Sequence, residues 1–154
     1  QPHGNKNTIR GIRENNTKKD SLVYKNFQIG TNHGERGLCD NVTNTNGILM
    51  YPNTSQEQYW NNIKSSLFVI SPPGNGIDCH RIWECLYLQS VPILKLVGKQ
   101  KHAFSQFTHL PILFVDDWSE VTIQFLRSKI QHYIDFNFNS ISEIDINFWR
   151  DQIN

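Results

Sequence analysis

Alanine is nearly missing from this sequence. Ala103 stands alone among 154 residues, while Asn and Ile are abundant. That skew reads as AT-rich coding bias and carries no functional weight. Cysteine is scarce: Cys39, Cys79 and Cys85 do not make a disulfide framework, so free thiols are expected. Basic excess is missing too, with 15 Lys and Arg against 14 Asp and Glu. The longest basic cluster is Lys18-Lys19, and Asp20 follows it. Nucleic acid is therefore not an expected partner. No apolar run reaches the roughly 18 residues that a membrane span needs. The first residues, QPHGNKNTIRG, hold no apolar core of a signal peptide and no initiator Met. On that lack of signal or anchor, the cytoplasm is favoured over the Golgi lumen. Three N-glycosylation sequons begin at Asn15, Asn41 and Asn53. A chain this rich in Asn, Ser and Thr makes nearly as many by chance, so they do not argue for secretion.

What is present fits one compact domain. Residues 1–20 are polar and Gly/Asn-rich and read as an irregular arm, leaving 21–154 as a single domain. SLVYKNFQIG is β-branched and aromatic with rough alternation, and reads as a strand ending at Gly30. TNHGERGLCDNV reads as a loop and then a weak helix. GILMYP reads as a short buried strand stopped by Pro52. NTSQEQYWNNIKSS is a helix that Thr54 or Ser55 can cap. LFVISP is an apolar strand of the kind found in a parallel sheet covered on both faces. A helix follows from about Cys79 to Gln89, then a strand in VPILKLV. HAFSQFTHL reads as a short helix and PILFVDD as another strand. SEVTIQFLRSKIQHYIDF is a long helix capped by Ser119 with Thr122 behind it, and SEIDINFWRDQIN is a last helix. Strands and helices alternate, connections are short and strands are apolar throughout. These features predict an α/β fold: a three-layer, Rossmann-like parallel sheet flanked by helices. Ligands of such sheets bind at the carboxyl ends of the strands.

One stretch at such an end concentrates chemistry: SPPGNGIDCHRIWECL, residues 71–86. Pro72 and Pro73 stop the strand. Gly74 and Gly76 let a ligand approach the main chain. Asp78 is placed as the helix N-cap, and free N–H groups with the helix dipole make an anion site. His80, Arg81 and Glu84 share the first turns of the helix, while Ile82, Cys85 and Leu86 turn to the sheet. A carboxylate there can accept both hydroxyls of a ribose, and Arg81 or His80 can neutralise phosphate. Arg81 and Glu84 equally fit an intrahelical ion pair. Zinc is disfavoured because Cys79, His80 and Cys85 lack the pair spacings of structural sites and of zinc deaminases. A Cys79 nucleophile is disfavoured because adjacent His80 points to another helix face.

The segment LFVISPPGNGIDCHRIWECLYLQSVPIL resembles the donor-binding segment of exostosin-type glycosyltransferases. Ser71, Pro72, Gly74, Asn75, Gly76, Asp78, His80, Arg81, Trp83, Glu84, Leu86 and Pro92 fall in register with that pattern. QYWNNIKSSLFVISP, LPILFVDDWSEVT and NFQIGTNHGER are similar to flanking parts, so the resemblance covers about residues 22–150. Gln89-Ser90 departs from the small residue or Gly usual before the next strand, and Cys85 replaces an Ala. The resemblance implies the C-terminal, nucleotide-sugar-binding lobe of a two-lobed GT-B glycosyltransferase. It implies Glu84 on the ribose, and Gly74, Asn75 and Gly76 on the diphosphate beside His80 or Arg81. It adds Thr31, Asn32 and Arg36, with Arg36 as a second phosphate contact. The expected donor is a UDP- or GDP-linked sugar and the acceptor a glycan, protein or small molecule. No cofactor or metal is expected. The Asp116-Asp117 pair could hold Mg²⁺ in a phosphotransferase, but is adjacent rather than Asp-x-Asp and reads as a structural loop. One lobe is about 150 residues, so an acceptor-binding lobe is expected in the same or another chain. A non-catalytic nucleotide- or sugar-binding module remains the alternative.

Overall fold

The computed structural model describes residues 6–15, 19–74, 80–96 and 109–134. Apolar runs form its four strands: β1 (Ser21–Tyr24), β2 (Ser66–Ile70), β3 (Val91–Lys95) and β4 (Leu113–Val115). All pair in parallel, in the order β1-β2-β3-β4. Among the described residues five helices accompany them: α1 (Lys6–Glu14), α2 (His33–Thr45), α3 (Gln56–Lys64), α4 (His80–Tyr87) and α5 (Ile123–Ile134). Single 3₁₀ turns at Ile29–Asn32 and Trp118–Glu120 precede α2 and α5.

The pleat divides the core. Val69 joins Tyr24, Ile9 and Ile12 of α1, Trp60 and Ile63 of α3, and Cys85 of α4. Its neighbours Phe68 and Ile70 join Cys39 of α2, Leu126 and Tyr133 of α5, and Ile82 and Leu86 of α4. Period-two alternation thus sends successive side chains into two apolar layers. Tyr133 meets Phe68 edge-on, with ring centres 5.8 Å apart. The protein is an α/β, Rossmann-like domain, as its apolar strands predict.

The structure corrects several local readings. The polar arm is helical over Lys6–Glu14. Ile9 and Ile12, three apart, are buried, and Arg13 Nε donates to the Tyr87 carbonyl at 2.8 Å. Tertiary burial outweighs the poor helix propensity of Asn, Thr and Gly11. β1 ends at Tyr24, not Gly30. There Lys25, 0 % exposed, pairs with Asp40 at 2.8 Å and donates to the Ile48 carbonyl at 2.9 Å. GILMYP is not a strand. Ile48 is buried but Leu49 is 63 % exposed, and the segment touches β1's end through Tyr51 N–H to the Lys25 carbonyl, 2.8 Å. Ser119 is not the cap of the long helix. Asp117 Oδ1 accepts the Ser119 N–H, forming a capping box with Glu120 on the 3₁₀ turn. Thr122 Oγ1 accepts the Phe125 N–H at 3.0 Å and caps α5. The helices expected in HAFSQFTHL and SEIDINFWRDQIN lie outside the described residues, His109 and Leu110 excepted. Ser55 does cap α3, accepting the Gln58 N–H at 3.2 Å.

Candidate functional site

Three loops and helix starts meet at the carboxyl ends of β1 and β2. Ser71 prolongs β2, its N–H donating to the Ile93 carbonyl at 3.1 Å. Pro72, Pro73 and Gly74 continue, all buried. Of the expected loop residues Asn75, Gly76 and Asp78, all three lie outside the described residues.

Asn32, Arg36 and Gly74 are brought together. Asn32 caps α2 and donates its amide to the Gly74 carbonyl at 3.2 Å. Arg36 is 6 % exposed. Its Nε donates to the Pro73 carbonyl at 3.0 Å and its Nη1 to the Gln28 carbonyl at 2.8 Å. One guanidinium therefore fastens the segment after β1 to the segment after β2. Both of these bonds go to main-chain carbonyls and use the fixed fork of donors that Arg offers.

His80, Arg81 and Glu84 share α4, as their spacing predicts, while Ile82 and Leu86 are buried in the layer of Phe68 and Ile70, and Cys85 in the layer of Trp60 and Val69. His80 is exposed, whereas Arg81 and Glu84 are half-buried. The two are held from α3. Arg81 Nε donates to the Tyr59 hydroxyl at 2.6 Å, and Trp60 Nε1 donates to Glu84 Oε2 at 2.7 Å. Burial pushes the Glu84 carboxyl above its ordinary range, and the Trp60 hydrogen bond and the charges of Arg81 and His80 pull it back part of the way. Burial also raises the Tyr59 phenol, outweighing the pull of Arg81, so it stays protonated at neutral pH.

Both arginines border one pocket of about 520 Å³. Asn26, Phe27, Gln28 and Thr31 form its β1 side, and Asn53, Thr54 and Gln56 its α3 side, with Tyr59 beside Arg81. None of these lining residues is acidic. The guanidinium carbons of Arg36 and Arg81 each stand 5.8 Å from the centre of the Phe27 ring. Arg81 also lies 5.7 Å from the Tyr59 ring centre. Two cations and no acid give the lining itself a positive charge, and the aromatic faces tolerate the cations there.

Asp116 and Asp117 stand apart from this pocket, after β4. Asp117 is used as the turn cap, and the Ser119 hydrogen bonds hold its carboxyl below the usual range. Glu120 Oε2 accepts the N–H groups of both residues, at 2.9 and 2.8 Å. Among the described residues no group of three His, Cys, Asp or Glu stands close enough to hold a metal. No described helix is long and apolar enough to cross a membrane.

Sequence reasoning missed Phe27, the amides of Asn26, Gln28, Asn53 and Gln56, and the roles of Tyr59 and Trp60. Pro52 reads as the end of a strand, but nothing local ties the residues after it to residues 26–31.

A family model described as the RXYLT1 C-terminal domain matches residues 27–133, from the pocket segment to α5. No curated protein matches the chain.

Proposed function

The chain belongs to the family of the RXYLT1 C-terminal domain, a glycosyltransferase-related family, and from that premise we propose that it is a donor-binding domain. It binds a nucleotide-diphosphate sugar, UDP- or GDP-linked, at the carboxyl ends of β1 and β2. The single observation that carries this reading is the convergence of Arg36 and Arg81 on one acid-free pocket beside the Gly74 loop. Gly74, Asn75 and Gly76 admit the diphosphate to the main chain. Asp78 belongs to the same proposed set, and His80 and Arg81 supply positive charge. Glu84 accepts hydroxyls of the ribose through the carboxylate oxygen that Trp60 leaves open. Asn32 and Arg36 hold the loop in place, with the Arg36 charge added to the same pocket.

In transfer, an acceptor hydroxyl attacks the anomeric carbon, its proton passes to a base on the acceptor side or to the departing diphosphate, and the bond from that carbon to the diphosphate oxygen breaks. The nucleoside diphosphate leaves with the electron pair. The arginines then stabilise charge that grows on the leaving group, and this is where preorganised cations lower a barrier most. Phosphate charge is met by guanidinium, so affinity is expected to be independent of divalent metal. The acceptor is a glycan, a protein or a small molecule, and a second lobe in the same or another chain supplies its binding surface.

Calorimetry with UDP, GDP and their sugar conjugates tests the reading. Binding of either nucleotide, unchanged by EDTA and weakened about tenfold or more in Arg81→Gln, is the expected result. A folded protein that binds neither nucleotide overturns it. Strict dependence on Mg²⁺ would move the assignment to a phosphotransferase.

A further inference from the structure

Two consecutive residues of α3 each hold one polar residue of α4. Tyr59 receives Arg81 Nε at 2.6 Å, and Trp60 reaches Glu84 Oε2 at 2.7 Å. Arg81 and Glu84 are three apart and so share a helix face, while Tyr59 and Trp60 are neighbours that fan out to meet both. We propose that Tyr59 and Trp60 are positioning residues: α3 presents the Arg81 guanidinium and the Glu84 carboxylate to one ligand as a fixed pair. What that ligand is rests on the donor-binding reading; the positioning itself does not.

Burial cost separates this from ordinary packing. Trp60 is 0 % exposed, and a buried indole N–H needs an acceptor. A main-chain carbonyl or a neutral amide would serve with little desolvation. The acceptor is instead a carboxylate, whose burial works against its own charge. A core selected for stability alone has no reason to keep it. Trp60 takes only Oε2, and a carboxylate has further lone pairs for a diol. On the other side, the phenol fixes Arg81 through Nε alone, and the guanidinium still borders the pocket. Each fastening thus holds its group from α3 at a single atom. Both come from one rigid helix, which holds a constellation more closely than a loop can.

The test replaces Trp60 by Phe, and separately by the isosteric benzothienyl analogue that lacks only the N–H, and replaces Tyr59 by Phe. The first readout needs no ligand: titration of the ¹³C-labelled Glu84 carboxyl. Loss of the indole N–H moves that pKa further up, whereas a purely space-filling Trp60 leaves it where it was. The second readout is affinity for UDP or GDP and their 2′-deoxy forms. Losing the Trp60 hydrogen bond weakens binding of the ribonucleotide about tenfold and narrows its preference over the deoxy form. Tyr59→Phe weakens ribo- and deoxynucleotide alike. If Trp60→Phe does not fold, the benzothienyl analogue decides. An unmoved Glu84 titration in either Trp60 variant overturns the proposal. So does wild-type nucleotide affinity in both Trp60→Phe and Tyr59→Phe. Wild-type protein that binds no nucleotide, with the Glu84 titration still shifted, removes the donor reading and keeps the positioning.

Discussion

A Cβ on residue 74 would lie 2.9 Å from Arg36 Nη2 and 3.5 Å from Thr31 Cγ2. The glycine of the loop after β2 is thus matched to a guanidinium from α2, and that guanidinium cannot swing away freely. Its Nε and Nη1 are bonded to the Pro73 and Gln28 carbonyls. Gly74→Ala is expected to cost about 1–3 kcal/mol by overpacking and to weaken nucleotide binding as Arg36 shifts. Arg36→Lys removes the planar fork, so the double variant should lose less than the two single losses combined. Urea midpoints of the four proteins measure this. Strict additivity would show that the two residues do not meet.

Some of this was legible in the sequence, for physical reasons that differ by element. β2, β3 and β4 were legible because buried parallel strands must be apolar on both faces. The register of Arg81 and Glu84 followed from helix periodicity alone. Residues 48–52 misled because Ile48 is packed like a strand residue while the chain around it forms no ladder. α1 was hidden because Ile9 and Ile12 gain their stability from Trp60, Ile63 and Tyr87, which no local window contains. The bond from Trp60 to Glu84 spans 24 residues and two helices. Hydrophobic pattern carries no information about such a polar contact between elements.

The departure at Gln89 from the usual glycine has a measurable consequence. Gln89 adopts φ 66°, the left-handed region that glycine favours. Its N–H bonds the Leu86 carbonyl and Ser90 N–H bonds that of Cys85, which is a Schellman ending. α2 ends in the same way with a glycine, Gly47 at φ 86°. What Gln89 adds is an acceptor: its Oε1 receives a hydrogen bond from Lys64 Nζ, a side chain only 5 % exposed. In a Lys64→Met background, Gln89→Gly should stabilise the protein by about 1 kcal/mol. In the wild-type background the gain should shrink, because Lys64 loses its acceptor. Equal gains in both would show the Lys64 contact to be without weight.

The ion pair at the end of β1 should behave as a buried one. Lys25 is fully buried, with Asp40 Oδ1 at 2.8 Å and the carbonyls of Ile48 and Asp40 at 2.9 and 3.2 Å. Asp40→Ala leaves the ammonium without its counter-charge and should cost about 3 kcal/mol or more. Adding Lys25→Met to Asp40→Ala should recover part of that loss, since an uncharged stem fills the same space. A double variant weaker than Asp40→Ala would contradict the pairing.

A pH profile should expose the fastening under the other end of the sheet. The stem of Lys19 is exposed, but its ammonium turns inward and donates to the Lys64 carbonyl and the Ser90 hydroxyl, both at 2.7 Å. Burial of the head lowers its pKa to about 7, and the nearby Lys64 charge adds to the effect. The folded value lies below the unfolded one, so between about 7 and 10.5 the unfolded chain binds more protons. Stability therefore rises with pH across that window, while below it the full cost of the buried charge is present. Lys64 is shifted in the same direction by its own burial and acts with the same sign. Cys39 opposes above its ordinary value of 9.0, because burial holds its thiol protonated in the folded state. The urea midpoint should thus climb between about pH 7 and pH 9, the interval those two ordinary and shifted values bracket. Lys19→Met should flatten most of that rise. A wild-type midpoint that is flat over this interval, or a Lys19→Met protein that climbs as steeply, would show that the ammonium at Ser90 titrates as it does in water.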